Sequence, residues 1–121
     1  MDIPRLPDAE FAVMEAVWRI GGPTTSAMIA ECVDAKKWSQ TTILTFLSRL
    51  SEKGFLKVRK EGKQNVYDVL VGEEDYVKSE SKSFLKRLHS GSITNLVASL
   101  YDSKSISEAD LEELRRFIDE K

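Results

Sequence analysis

A mostly α-helical protein with one small β-hairpin is what this sequence of 121 residues predicts. Three observations lead there. Apolar residues recur at helical spacing in three stretches before Gly54. After Gly54 the pattern changes to period two. From about Glu73 helical spacing returns and persists to the C-terminus.

The first helix is expected over about Asp8 to Ile20. Pro7 and Asp8 are start signals, and Phe11, Met14, Val17 and Trp18 make one apolar stripe. Gly21-Gly22-Pro23 ends it. The second, about Ser26 to Val33, has Thr25 or Ser26 as a cap and is expected to bury Ile29, Cys32 and Val33. The third starts after Ser39, a good N-cap, and stops at Gly54. Phe55 to Lys60 then reads as a strand in which Leu56 and Val58 alternate with Lys57 and Arg59. Glu61 to Gln64 is turn chemistry with Gly62 able to take positive φ, and Asn65 to Leu70 is the returning strand. Helix, helix, helix, hairpin is an N-terminal winged helix-turn-helix, assigned to residues 1–72.

Residues 73–121 read as a helical C-terminal dimerisation region. Glu73, Glu74 and Asp75 suit a first helical turn, and Gly91 breaks the helix that follows. A second segment runs from about Ile93 to Tyr101. Ser107 is the expected N-cap of a last helix. These helices are too thin to enclose a core alone, so their apolar stripes (Leu85, Leu88, Leu96, Leu100, Leu111, Leu114, Phe117 and Ile118) are expected to pair with a second copy of the chain, the alternative being that the tail folds back on the first domain.

Trp38 to Leu50 raises the functional question. Its three threonines, Thr41, Thr42 and Thr45, are poor helix formers because the β-branch restricts χ1. At about 100° per residue, Ile43, Phe46, Leu47 and Leu50 share one face. Thr41, Thr45, Ser48 and Glu52 then fall near the opposite pole, with Arg49 and Thr42 on one flank and Leu44 on the other. The threonines therefore form an outward face of short, hydrogen-bonding side chains. In a helix-turn-helix the second helix of the motif enters the major groove. Hydroxyls there meet base edges and phosphates, and a threonine methyl packs on thymine.

Charge supports a double-stranded DNA partner. Lys36, Lys37, Arg49, Lys53, Lys57, Arg59, Lys60 and Lys63 face only two acids, Glu52 and Glu61, in the same stretch. That block carries +6, leaving −8 for the rest of a chain whose total is −2. Arg49 is placed to reach a guanine or a phosphate. Lys53 is expected near the DNA backbone, and Lys36, Lys37, Arg59, Lys60 and Lys63 on flanking phosphates. The candidate DNA-binding set is completed by Ser39, Thr41, Thr42, Thr45 and Ser48. The alternative is a winged-helix protein-interaction module without a specific operator, for which the same charges are ordinary solvated surface.

Other classes fit poorly. One cysteine and one histidine, Cys32 and His89, are too few for a soft-metal site or a disulfide. No Gly-rich phosphate loop or paired-carboxylate spacing stands out, so no enzyme, metal or cofactor is expected. Neither a signal peptide nor a membrane span is visible, and a cytoplasmic protein is the expectation.

Together these stretches resemble one family. Leu6 to Trp18, LPDAEFAVMEAVW, resembles the opening helix of the BlaI/MecI penicillinase-repressor family. Trp38 to Gly54 carries its WS-x-x-T-[VI]-x-T-x-L-x-R-L-x-x-KG pattern, and LVASLYDSKSISEADLEELRRFIDE resembles its C-terminal segment. The resemblance implies a homodimeric repressor of a palindromic operator, commonly that of a β-lactamase or related resistance gene. It implies Thr42, Thr45 and Arg49 as groove-facing residues. It also implies relief of repression when a membrane sensor-protease leads to cleavage in the C-terminal region. The family's Asn-Phe cleavage pair corresponds here to Ser99-Leu100, and some members have basic residues at Thr41 and Leu44. The copper-responsive branch has C-terminal cysteines, and this chain has none after Cys32.

Overall fold

Helix α1, Asp8–Ile20, carries the centre of the hydrophobic core on one face. Val13, Met14, Ala16 and Val17 are buried, and Gly21 closes the helix at φ 79°. The computed structural model describes residues 3–33 and 38–121. Helices α2 (Ser26–Cys32) and α3 (Gln40–Glu52) follow, each capped as its sequence suggests. Thr25 accepts from the Met28 N–H, and Ser39 accepts from the Thr42 N–H. Ile29 of α2 and Ile43, Leu47 and Leu50 of α3 close over α1.

The end of α3 is a Schellman turn. The Phe55 N–H reaches the Leu50 carbonyl at 2.9 Å, and Gly54 takes φ 84°. This reversal drops Phe55 into the core and starts strand β1, Leu56–Glu61, which pairs antiparallel with β2, Gln64–Val69. The register runs from Leu56 opposite Val69 to Glu61 opposite Gln64, so Gly62-Lys63 is the whole turn. Gly62 sits at φ 66°, as a tight two-residue turn requires. Thr24 adds an antiparallel bridge to Tyr67, with backbone bonds of 3.0 and 2.8 Å. That bridge ties the loop before α2 to the base of the hairpin.

Helix α4, Glu73–His89, begins against the same core. Tyr76 is its buried residue, ringed by Phe11, Trp18 and Phe55 at centroid distances of 5.6–5.8 Å. The Tyr76 hydroxyl accepts from the Leu6 N–H at 2.9 Å, and Trp18 Nε1–H donates to the Val71 carbonyl at 2.9 Å. These bonds explain why the first compact unit, Met1–Glu80, takes in the first turns of α4.

The second unit, Ser81–Lys121, holds the end of α4 with α5 (Ile93–Asp102) and α6 (Glu108–Asp119). Ser92 caps α5, and Ser107 with Asp110 makes a full capping box on α6. Neither α5 nor α6 has a buried residue.

One local expectation is corrected, and the hairpin shows where the core ends. Of the residues assigned to the buried face of α2, Ile29 is buried, but Cys32 is exposed and Val33 half-buried. The helix is only seven residues long and ends at Cys32, leaving its last turn at the margin of the core. In the hairpin, Leu56 is buried but Val58 is exposed, because β1 runs out past the core after its first residue.

Candidate nucleic-acid interface

The α3 face opposite the core is held by interactions near the helix start. Ser39 Oγ caps the Thr42 N–H at 3.1 Å and lies 2.9 Å from Thr42 Oγ1. Gln40 Nε2–H donates to Ser26 Oγ at 3.0 Å, tying the first turn of α3 to that of α2. Trp38 packs edge-on against Phe46 at 5.4 Å. With Ile43, Leu47 and Leu50 anchored inward, Thr41, Leu44, Thr45, Ser48 and Arg49 are exposed and Thr42 is half-buried.

The hydroxyls on this face are not equivalent. Thr45 Oγ1–H donates to the Thr41 carbonyl at 3.0 Å. Its hydrogen is spent, so outward it offers a methyl and an acceptor. The Thr41 and Ser48 hydroxyls make no hydrogen bond among the described residues and retain donor and acceptor capacity. Arg49 makes no ion pair among the described residues.

The other cations divide. Lys36 and Lys37 lie outside the described residues. Lys57, Lys60 and Lys63 are exposed along the hairpin and unpaired among the described residues. Lys53 Nζ instead bonds Glu10 Oε1 of α1 at 2.5 Å. Arg59 is held by Asp68 across the ladder at 2.7 Å and by Glu61 on its own strand at 2.6 Å. Those hydrogen bonds, Asp68 first and Glu61 second, raise its pKa further above the ordinary guanidinium value. Glu10 and Asp68 were not singled out in the sequence. A signal for Glu10 was present: it stands at i−4 and i−7 to Met14 and Val17, a carboxylate continuing an apolar stripe, and such a group needs a partner.

Residues 6–120 match the family model described as penicillinase repressor. The chain belongs to the penicillinase-repressor family. It is 35% identical over 118 residues to the penicillinase repressor of Bacillus licheniformis, covering 98% of this chain and 92% of that protein. It is 32% identical over 116 residues to the methicillin resistance regulatory protein MecI of Staphylococcus aureus (strain N315), covering 96% and 94%. The solution structure of the DNA-binding domain of the repressor BlaI superposes with a TM-score of 0.53 at 36% identity, over 63% of this chain and 94% of that one. A monomeric form of B. licheniformis BlaI in complex with the blaP half-operator gives 0.51 at 36% identity, over 62% and 92%. As a member of the penicillinase-repressor family, the chain is a transcriptional repressor and not an enzyme.

The family match also spans the second unit, where the remaining expected residues lie. Leu111, Leu114, Phe117 and Ile118 of α6 line an open apolar groove of about 700 Å³ together with Ile93, Val97 and Tyr101 of α5. Leu88, Leu100, Leu114, Phe117 and Ile118 are exposed, whereas Leu85, Leu96 and Leu111 are half-buried. Leu85, Leu88, Leu96 and Leu100 do not line the groove. Ser99 and Leu100 are both exposed and sit within α5. No described helix is long and apolar enough to cross a membrane.

Proposed function

We propose that this repressor acts as a homodimer on a palindromic DNA operator, with α3 of each protomer in successive major grooves and the hairpins over the flanking backbone. The observation that carries this reading is the exposed α3 face. Thr41, Thr45, Ser48 and Arg49 project from a helix whose opposite side is fully anchored, and the unpaired lysines of the hairpin follow it in the chain. Support comes from the BlaI form solved with the blaP half-operator, which shares this domain at 36% identity. In this reading residues 1–72 bind DNA and residues 73–121 dimerise. A second copy covers the apolar groove between α5 and α6, and the protein works in the cytoplasm, where its DNA is.

The names of the relatives point to the regulated gene: a β-lactamase or another antibiotic-resistance determinant. Derepression follows from cutting at or near Ser99-Leu100, in response to a membrane sensor-protease. The bond lies inside α5, so a protease needs that helix unwound before it is accessible. With no buried residue in it, α5 has little packing within its own protomer to resist unwinding.

Footprinting of the purified protein on its own promoter region, at two salt concentrations with random duplex as control, tests the reading. The expected result is a twofold-symmetric footprint tighter than random DNA by ~10³ or more. Uniform binding that collapses with salt would reduce the basic block to a phosphate grip and remove the operator.

A further inference from the structure

We infer that the basic block is of two kinds: Arg49, Lys57, Lys60 and Lys63 grip DNA phosphate, whereas Lys53 and Arg59 are positioning residues that the chain's own carboxylates keep away from it. The inference rests on the DNA-binding reading above and refines it.

Lys53 is the clearer case. Its partner Glu10 is 3% exposed, and the ammonium is the ion-pair partner of that buried carboxylate among the described residues. Moving Lys53 to a phosphate strands a buried charge, a far larger loss than a solvated surface contact returns. Lys53 is also the C-cap residue of α3, immediately before the Schellman turn. The ion pair therefore pins the C-terminal end of α3 to α1, just as the Gln40–Ser26 hydrogen bond pins its start to α2. Both ends of the helix that presents the threonine face are thus fixed.

Arg59 performs the equivalent task on the hairpin. Asp68 stands opposite Lys57 in the ladder, yet its carboxylate goes diagonally to Arg59. One guanidinium bridges both strands and Glu61, the last ladder position before the turn. Two carboxylates more than cancel its charge, so it adds nothing to the field that attracts phosphate. What it does is stiffen a two-stranded hairpin, a unit that is marginal alone. Lys60 and Lys63 at the tip, and Lys57 near the base, are thereby held in place.

Salt dependence separates the two kinds. Each lost phosphate contact lowers the slope of log K against log salt by about 0.9 on duplex DNA. The full chain is titrated against operator and random duplex over a salt series. Arg49→Gln, Lys57→Gln, Lys60→Gln and Lys63→Gln are expected to flatten the slope by about 0.9 per contact, twice that if two protomers bind. Lys53→Gln and Arg59→Gln are expected to weaken binding by a factor that is the same at every salt, leaving the slope of the parent. Should Lys53→Gln fail to fold, Glu10→Gln with Lys53→Gln keeps a neutral hydrogen-bonding pair and carries the same expectation. Arg59→Lys keeps the charge but not the two-strand clamp, so a positioning role predicts that it does not restore affinity. A slope lost on Lys53→Gln or Arg59→Gln as large as that on Lys60→Gln, or full rescue by Arg59→Lys, overturns the inference. Slopes unchanged in the four proposed phosphate ligands overturn it equally. A parent chain that binds neither duplex overturns the DNA-binding reading itself, a distinct outcome.

Discussion

Phe117→Ala tests whether the α5–α6 groove is where two copies meet. Phe117 lines the groove and is 56% exposed in the protomer. A phenylalanine side chain presents roughly 200 Å², so about 110 Å² remains for a partner to cover. At about 25 cal/mol per Å² that is about 3 kcal/mol per protomer, and about 5–6 kcal/mol for a symmetric pair. Alanine retains part of this surface, and association recovers less than the area suggests. A loss of about 3–5 kcal/mol is therefore expected, a dimer constant weaker by roughly 10²–10⁴-fold. The protomer itself should be unharmed: Phe117 is not buried in it, and alanine is the better helix former. Sedimentation from nanomolar to micromolar protein reads the constant, and circular dichroism confirms that helix content is kept. An unchanged dimer constant with intact helices would show that the groove is not the meeting surface.

Three further outcomes are expected. Arg49→Ala should weaken binding to operator and random duplex by an equal factor, as the loss of a phosphate contact does, and a loss of about 1–3 kcal/mol confined to the operator would show that the guanidinium reads a base instead. Because the Thr45 hydroxyl hydrogen is committed to the Thr41 carbonyl, Thr45→Val should keep most operator affinity, while Thr45→Ser should lose about 0.8 kcal/mol for the missing methyl; a gel-shift titration with the reverse order would assign the contact to the hydroxyl. Phe55→Ala removes a fully buried ring beside Tyr76 and should cost about 3–5 kcal/mol, seen as a lowered midpoint in urea unfolding; a loss below about 1 kcal/mol would show that the aromatic cluster is not the keystone of the first unit.

The fold was legible wherever a local pattern carries it. Ile43, Leu47 and Leu50 recur at helical spacing, and all three are buried. Gly21, Gly54, Gly62 and Gly91 are the stops and turns of the sequence, and all four take positive φ. The hairpin was placed to within a residue, its turn being two residues rather than four because Glu61 and Gln64 still pair. Illegible were the contacts that join residues far apart in the chain. Glu10 meets Lys53, Trp18 meets the Val71 carbonyl, and Thr24 bridges to Tyr67. Composition counts each lysine and arginine as a free charge, and nothing in it tells that Lys53 is paired with Glu10, or Arg59 with Asp68 and Glu61. Only their geometry shows where those two charges are directed.

The two units divide stability in a way that suits a switch. In the first, Val13, Val17, Ile29, Leu47, Leu50 and Phe55 are sealed from solvent, and α3 is fastened at both ends. In the second, α5 and α6 have no buried residue, and their apolar faces stay open in the protomer. On the proposed reading, a partner chain supplies the burial that α5 and α6 lack. Dimerisation and the order of this region are then one equilibrium, and a cut within α5 acts on both. The reading head itself need not change shape. A protomer released from its partner keeps the same α3 face and the same unpaired lysines. What it loses is the local concentration that its partner's half-site contact created, which linked binding multiplies by 10² or more. On that same proposed reading, repression ends at the C-terminal region without disturbing any residue of the α3 face.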